Sequence, residues 1–361
     1  MALNPYIVVV RTLQPLMIRG RLSPRGYEAL GNVIPASTLA GALARALRLE
    51  GGYGLVARGY AVSEAYPVVE VEGGGLAPAF PAPLLTVKVK PVEGRGPRFL
   101  VCLHVGGGGP LELLRKVYSF WEEKLGFKPL GLIKVVKPGA PVALASMKPL
   151  EGLEECYAGV GAEVEASYSY DSTAVNPARG SVEKEMLYTY YAIPRNTLFW
   201  ATVSLPDDVH VESRVVELRL GGGRTRGYGR AVAAMERLPD TLLEELEKEY
   251  REIVEGGEEY RFFLWSPLPA RLGQQTMFRC GWSSIAGMPR LAMPMVKPGS
   301  LLELENRQLA SQSLLEARFR GLVPPLGHAE PVSGKRRLPP SLQKLTPIVE
   351  RLASLAGGEA C

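Results

Sequence analysis

The segment ELRLGGGRTRGYGRAVAAM, residues 217–235, concentrates groups that could do chemistry: Gly221, Gly222, Gly223, Gly227 and Gly229 alternate with Arg224, Thr225, Arg226, Tyr228 and Arg230. Glycines let a backbone approach a ligand closely, guanidinium forks pair with phosphate oxygens, and a tyrosine ring offers its face to a base. Together these residues describe a contact with a single nucleic-acid strand, in which the loop amides and arginines hold phosphate and Tyr228 stacks. Mononucleotide signatures do not fit. No Gly-Lys-Ser/Thr follows as a P-loop requires, and in the G-x-G-x-x-G frame Gly221 and Gly223 match while Arg226 takes the third glycine position. A tight connection whose glycines only supply positive φ remains the alternative on local sequence.

Other reactive side chains are sparse. The aspartates are Asp171, Asp207, Asp208 and Asp240, and residues 1–170 contain none, which counts against metal-dependent phosphodiester chemistry built on clustered carboxylates. Asp171, in YSYDST, reads as a turn residue, and Asp207 and Asp208 as a turn after Pro206. Cys102, Cys156, Cys280 and Cys361 stand far apart, with no C-x-x-C pair and no histidine at ligand spacing, so neither a zinc site nor a disulfide framework is expected. No cofactor is expected. His104, beside Cys102, reads as structural, and His210 and His328 as surface-loop residues.

The 361-residue chain is 46% hydrophobic, enough for sizeable cores, and 42 Lys plus Arg against 37 Asp plus Glu give a formal charge of +5 that leans towards an anionic partner. No apolar run reaches the roughly 18 residues of a membrane span, and the N-terminus lacks a signal-peptide pattern. A cytoplasmic protein without a membrane partner is expected. With 30 Pro, 40 Gly and few Asn or Gln, the composition would suit a thermophile.

The elements that must position these groups follow from periodicity. PYIVVVRTLQPLMI (5–18) reads as a buried strand, followed by a basic turn with Arg19, Arg21 and Arg25. IPASTLAGALARALRLEGG reads as a helix capped by Ser37 or Thr38, with Leu39, Leu43, Ala46 and Leu47 on one face and Gly51 and Gly52 as its stop. Short extended pieces occupy about 55–110, GPLELLRKVYSFWEEKLGF is a second amphipathic helix, and LIKVVKPGAPVAL, NTLFWATVSL and SRVVELRL are strands. The segment 239–257 is a surface helix with Thr241 and Glu244 at capping-box spacing, and after it come the strand YRFFLWSPL, a basic loop SGKRR (333–337) and a final helix PSLQKLTPIVERLASLAG. Trp265 and Trp282, beside strands, read as core residues. This order predicts an α+β protein of two unequal halves: 1–237, a linking helix 238–257, and 258–361.

LGGGRTRGYGRA resembles the C-terminal glycine-rich loop of the RAMP superfamily, the RNA-binding subunits of CRISPR effector complexes, and IPASTLAGALARAL is similar to that family's first helix. Here Ala36 stands in place of the usual Gly, and Ala40 where Arg is common. The likeness spans roughly 5–235. Within the superfamily, AFPAPLLTVK (79–88) and GWSSIAGMPRLAMPMVKPGSLLEL (281–304) look most like the subunit that caps the 5′-handle end of the guide RNA in type III complexes, particularly type III-D. A second glycine-rich loop, frequent in the second half of such proteins, is replaced by RGLVPPLGHAEPVSGKRR.

The resemblance implies a ferredoxin-like (RRM-related) βαββαβ core in the first half and a second, degenerate one in the second. It also implies CRISPR guide RNA as ligand, the large subunit and backbone RAMP subunits as partners, and RNA contacts by the glycine loop, by Arg19, Arg21 and Arg25, and by Ser37 and Thr38 at the first helix. A metal-independent guide-RNA-processing endonuclease of the superfamily would need a histidine near the first helix, and none lies there. A target-cutting backbone subunit would need an aspartate in a loop of the first half, where none precedes Asp171, so that role is open only if Asp171 serves in its place; the cyclase-type Gly-Gly-Asp-Asp turn is absent. The expectation is a non-catalytic RNA-binding subunit, with the processing endonuclease and an adaptor between large subunit and filament as alternatives.

Overall fold

The run of valines near the N-terminus lies in strand β1 (Leu3–Thr12), which is buried on both faces. Ile7 and Val9 enter one apolar cluster while Val8 and Val10 enter another, because successive side chains of a strand point to opposite sides. The computed structural model describes residues 3–23, 26–29, 33–49, 55, 58–71, 75–83, 85–90, 99–102, 109–129, 131–162, 168–175, 182–209, 211, 214–256, 260–265, 268–269, 276–283, 288–304, 329–332 and 338–358.

After β1 come β2 (Arg19–Ser23), β3 (Gly26–Ala29) and helix α1 (Ala36–Ala46). Short strands follow: β4 (Ala61–Val62), β5 (Tyr66–Glu70), β6 (Leu76–Pro78), β7 (Phe80–Pro81), β8 (Leu85–Val89) and β9 (Phe99–Cys102). Helix α2 (Gly109–Leu125) precedes β10 (Ile133–Val135), β11 (Pro141–Leu150) and β12 (Leu153–Gly161). A long hairpin of β13 (Tyr168–Val175) and β14 (Val182–Ala192) leads to β15 (Leu198–Pro206), β16 (Val215–Arg219) and β17 (Arg230–Arg237). Beyond helix α3 (Asp240–Gly256) lie β18 (Tyr260–Leu264), β19 (Leu268–Pro269), β20 (Thr276–Ser283), β21 (Met288–Val296), β22 (Leu301–Leu304), β23 (Ala329–Val332) and helix α4 (Pro340–Gly358).

The chain is a strand-rich mixture of helix and sheet. One seven-stranded sheet runs in the order β16-β17-β1-β15-β5-β6 with β4 also on β15, and a six-stranded sheet runs β10-β8-β9-β12-β11-β7. Only Ala79 separates β6 from β7, so one extended stretch serves both sheets. In the first sheet β1 is antiparallel to both of its neighbours, β15 and β17, and β5 lies antiparallel on the far side of β15.

Three apolar clusters fill the layers. Helix α1 covers one face of the first sheet through Leu39 and Leu43, against Val8, Val10, Leu218 and Leu220. Helix α2 covers one face of the second sheet through Leu113, Val117 and Trp121. Between the sheets, Ile7 and Val9 meet Val101 and Tyr157 of the second sheet, Phe263 and Trp265 at β18, and Leu345 and Leu352 of α4. Trp265 is a core residue, as its place beside a strand predicts: its ring lies 5.7 Å from that of Trp200, and its carbonyl accepts the Tyr66 hydroxyl at 2.5 Å. Burial holds that phenol well above the usual tyrosine range.

Helix α4 is tied down by charge as well. Arg351 pairs with Glu236 of β17 and Lys344 with Glu245 of α3, while Arg11 at the end of β1 donates to the carbonyl of Gly357 at 2.8 Å. Helix α3 occupies most of the segment expected to link two halves, and the described elements beyond it, β18 and α4, share a core with β1.

Three local expectations are corrected. Cys102 and Cys156 form a disulfide, because the antiparallel pairing of β9 with β12 sets them directly opposite. Helix α1 has Pro35, not Ser37 or Thr38, at its N-cap; both fall in the first turn, where the Thr38 N–H donates to the Pro35 carbonyl. Helix α3 begins at Asp240 with the Leu242 and Leu243 N–H groups bonded to the Pro239 carbonyl, so Thr241 is inside the helix. In both helices the preceding proline supplies a first carbonyl and starts the helix two or three residues early.

Candidate nucleic-acid interface

The glycine loop closes the β16–β17 hairpin, whose last paired residues are Arg219 and Arg230. Leu218 and Leu220 are fully buried and anchor its base over α1. Then the backbone turns left-handed at Gly221 (φ 67°) and Gly223 (φ 70°), makes a 3-10 turn over Arg224–Arg226, and turns left-handed again at Gly227 (φ 83°) and Gly229 (φ 87°). At two of these positions close approach also demands glycine. A Cβ on Gly221 would stand 2.2 Å from the Met17 carbonyl oxygen, and one on Gly229 would stand 2.2 Å from that of Leu220.

The loop is braced from inside. The Leu220 N–H donates to the Gly229 carbonyl at 2.8 Å, Gly222 to Met17 at 2.9 Å, Gly229 to Pro15 at 3.0 Å and Tyr228 to Gly223 at 3.4 Å. The N–H groups of Gly222, Tyr228 and Gly229 are thus bonded within the fold.

Side chains divide in the same way. Arg224 and Thr225 are exposed, and Arg224 Nε donates to the Gly221 carbonyl at 3.2 Å. Tyr228 is half-buried and lies against Gly223, where an added Cβ would come within 3.1 Å of Tyr228 Cδ2. Arg230 faces Glu217, its Nε 3.0 Å from Glu217 Oε1, and Arg219 approaches the same oxygen at 3.8 Å. Glu217 thus lowers the positive charge at the base of the loop. The backbone of Arg226 belongs to the 3-10 turn; its side chain lies outside the described set.

Residues 13–17 form the other wall. Leu13 and Gln14 donate to the Arg230 carbonyl, Leu16 bridges to Ile193, and Met17 bridges to Gly222. The basic hairpin β2–β3 starts two residues after Met17, and the long hairpin β13–β14 ends one residue before Ile193, so three protruding segments leave the sheet at one place. Arg19 and Arg21 sit in β2, opposite Ala29 and Glu28; their side chains, and Arg25 altogether, lie outside the described set. Ser37 is exposed and Thr38 half-buried in the first turn of α1.

Asp171 is not a turn residue: it lies within β13 opposite Thr189, because the hairpin extends beyond it on both sides. Asp207 and Asp208 do form the turn after β15, with Asp208 paired to Arg58 at 2.6 Å. His104, His210, His328 and the segment 333–337 lie outside the described residues, as does the side chain of Trp282. Among the described residues no group of three or more His, Cys, Asp or Glu could hold a metal, and no helix is long and apolar enough to cross a membrane. Sequence reasoning missed Pro15 and Met17 as the loop's brace and Glu217 as the partner of Arg230. Only the last left a trace, as an acid four residues before the glycines.

No protein-family model matches the sequence, and no curated protein is significantly similar to it. Solved structures give distant likenesses. A chain of the type III-B Cmr-beta complex bound to cognate target RNA and AMPPnP is 11% identical, with a TM-score of 0.44 over 87% of this chain and 93% of that one. A chain of the same complex bound to cognate target RNA alone is 11% identical, with a TM-score of 0.42 over 88% and 94%. Oligomeric Cmr4 from Pyrococcus furiosus is 14% identical, with a TM-score of 0.26 over 65% and 98%.

Proposed function

We propose that this chain is a non-catalytic RNA-binding subunit of a type III CRISPR effector complex, a member of the RAMP superfamily that grips the 5′ handle of the guide RNA and docks on the large subunit and the backbone RAMP subunits. The observation that carries the reading is the braced glycine loop. Its four left-handed glycines and its bonds to Pro15 and Met17 fix a frame from which Arg224 and Thr225 project into solvent. A preorganised cation on an open loop suits a phosphate backbone, because little ordering entropy is lost on binding. The basic hairpin leaving the same place and the net charge of +5 support the same ligand.

The test is binding of labelled guide RNA, with and without its 5′ handle, across a salt series, with the same tubes examined for metal-free cleavage. Handle-dependent binding that weakens with salt and leaves the RNA intact is the expected result. Arg224→Ala should weaken it about tenfold, the loss of one charge-assisted contact, with an unchanged melting temperature. Metal-free cuts would replace this reading with the processing endonuclease; absence of binding would leave the adaptor.

A further inference from the structure

On the second sheet, β10 pairs with β8 so that Lys134 stands directly opposite Lys88. The ladder continues past both strands: the Lys90 N–H donates to the Leu132 carbonyl and the Val136 N–H to that of Thr86, which puts Lys90 on the same face as Lys88, one step along. All three lysines are exposed. Like charges directly opposite across an antiparallel pair repel. Among the described residues no carboxylate pairs with them: segments 79–92 and 126–140 contain no Asp or Glu but add Lys128 and Lys137, and the ion pairs among the described residues all lie elsewhere.

The position of one ammonium group is also fixed. Phe99 of β9 faces Lys88 across the other ladder, and Lys88 Nζ sits 5.0 Å from the centre of its ring. That ring lies over Gly161, where an added Cβ would fall against Phe99 Cζ. A buried aromatic held by a glycine thus steadies a charge that a neighbouring charge disfavours.

We propose that this corner of the second sheet is a second nucleic-acid contact, in which Lys88, Lys90 and Lys134 carry the phosphodiester backbone of a single strand. Side chains two residues apart on a strand are about 7 Å apart, close to the step between successive phosphates of an extended chain. Lysine point charges without planar forks suit phosphate positioning and not base readout. The choice of nucleic acid over another polyanion rests on the RNA-binding reading above; the unrelieved charge does not.

The experiment uses the full chain and labelled oligouridylate over a salt series, comparing K88Q/K90Q/K134Q, K88R/K90R/K134R and Arg224→Ala. The glutamine triple variant should bind about tenfold more weakly, and its log K against log salt slope should fall by about 2, from roughly 0.7 per phosphate neutralised on a single strand. The arginine triple variant should bind as the parent does. Wild-type affinity in the glutamine variant, or equal weakness in both triple variants, overturns the proposal. Loss on Arg224→Ala with none in the glutamine variant removes this strip and leaves the loop; the reverse pattern keeps the strip and removes the loop. Aggregation of the glutamine variant with unchanged affinity of its monomer would assign the lysines to blocking the open edge at β10 and overturn the proposal.

Discussion

At Gly221 two demands coincide, a left-handed backbone and a carbonyl oxygen 2.2 Å from where a Cβ would be, whereas at Gly227 the backbone is left-handed with nothing within 4 Å. Gly227→Ala should therefore cost only conformational strain, about 1 to 2 kcal/mol. Gly221→Ala should add an overpacking cost of roughly 1 to 3 kcal/mol as the bond between Gly222 and Met17 is pushed apart. Urea unfolding of the two variants checks the order, and equal costs would mean that Met17 does not brace the loop. The charge at the base of the loop makes a separate prediction. Glu217→Gln releases Arg230 and Arg219 from an exposed pair, so stability should change by less than about 0.5 kcal/mol, while RNA affinity rises two- to threefold in the salt series.

Elements are joined at points that their own sequences do not announce. The Cys102–Cys156 disulfide ties β9 to β12 at buried positions 54 residues apart, across a stretch that includes α2, β10 and β11. Replacing both cysteines by Ala should lower stability by about 2 to 4 kcal/mol, and adding a reductant to the parent during urea unfolding should move its midpoint in the same direction. Arg11 caps the C-terminal end of α4, where unpaired carbonyls and the helix dipole favour a cation. Arg11→Ala should cost about 1 kcal/mol and speed amide exchange in the last turn of α4 while β1 stays protected.

For the molecule as a whole, the decisive feature is the core between the two sheets, to which β1, the second sheet, β18 and α4 all contribute. A shared core makes distant segments unfold together. Leu345→Ala in α4 should lower stability by about 2 to 5 kcal/mol. It should also shift one transition seen equally by far-UV circular dichroism and by the fluorescence of Trp200 and Trp265, which lie in that cluster. Separate transitions would show that the residues beyond α3 fold as a unit of their own.

What the sequence determined by itself is local. The valine run, the helical spacing in α1 to α4 and the glycine punctuation of 221–229 each encode a period or a φ angle within a few residues, and each stands in the structure as an element of the expected kind. Helix starts moved because proline carbonyls outcompeted the side-chain caps at Ser37, Thr38 and Thr241. Tertiary structure alone decided register and direction: that Cys102 meets Cys156, that Lys88 meets Lys134, that Glu217 reaches Arg230, and that β1 runs antiparallel to both neighbours. Those pairings depend on which distant strands bury each other's apolar faces, a free energy summed over the whole core and written in no single segment.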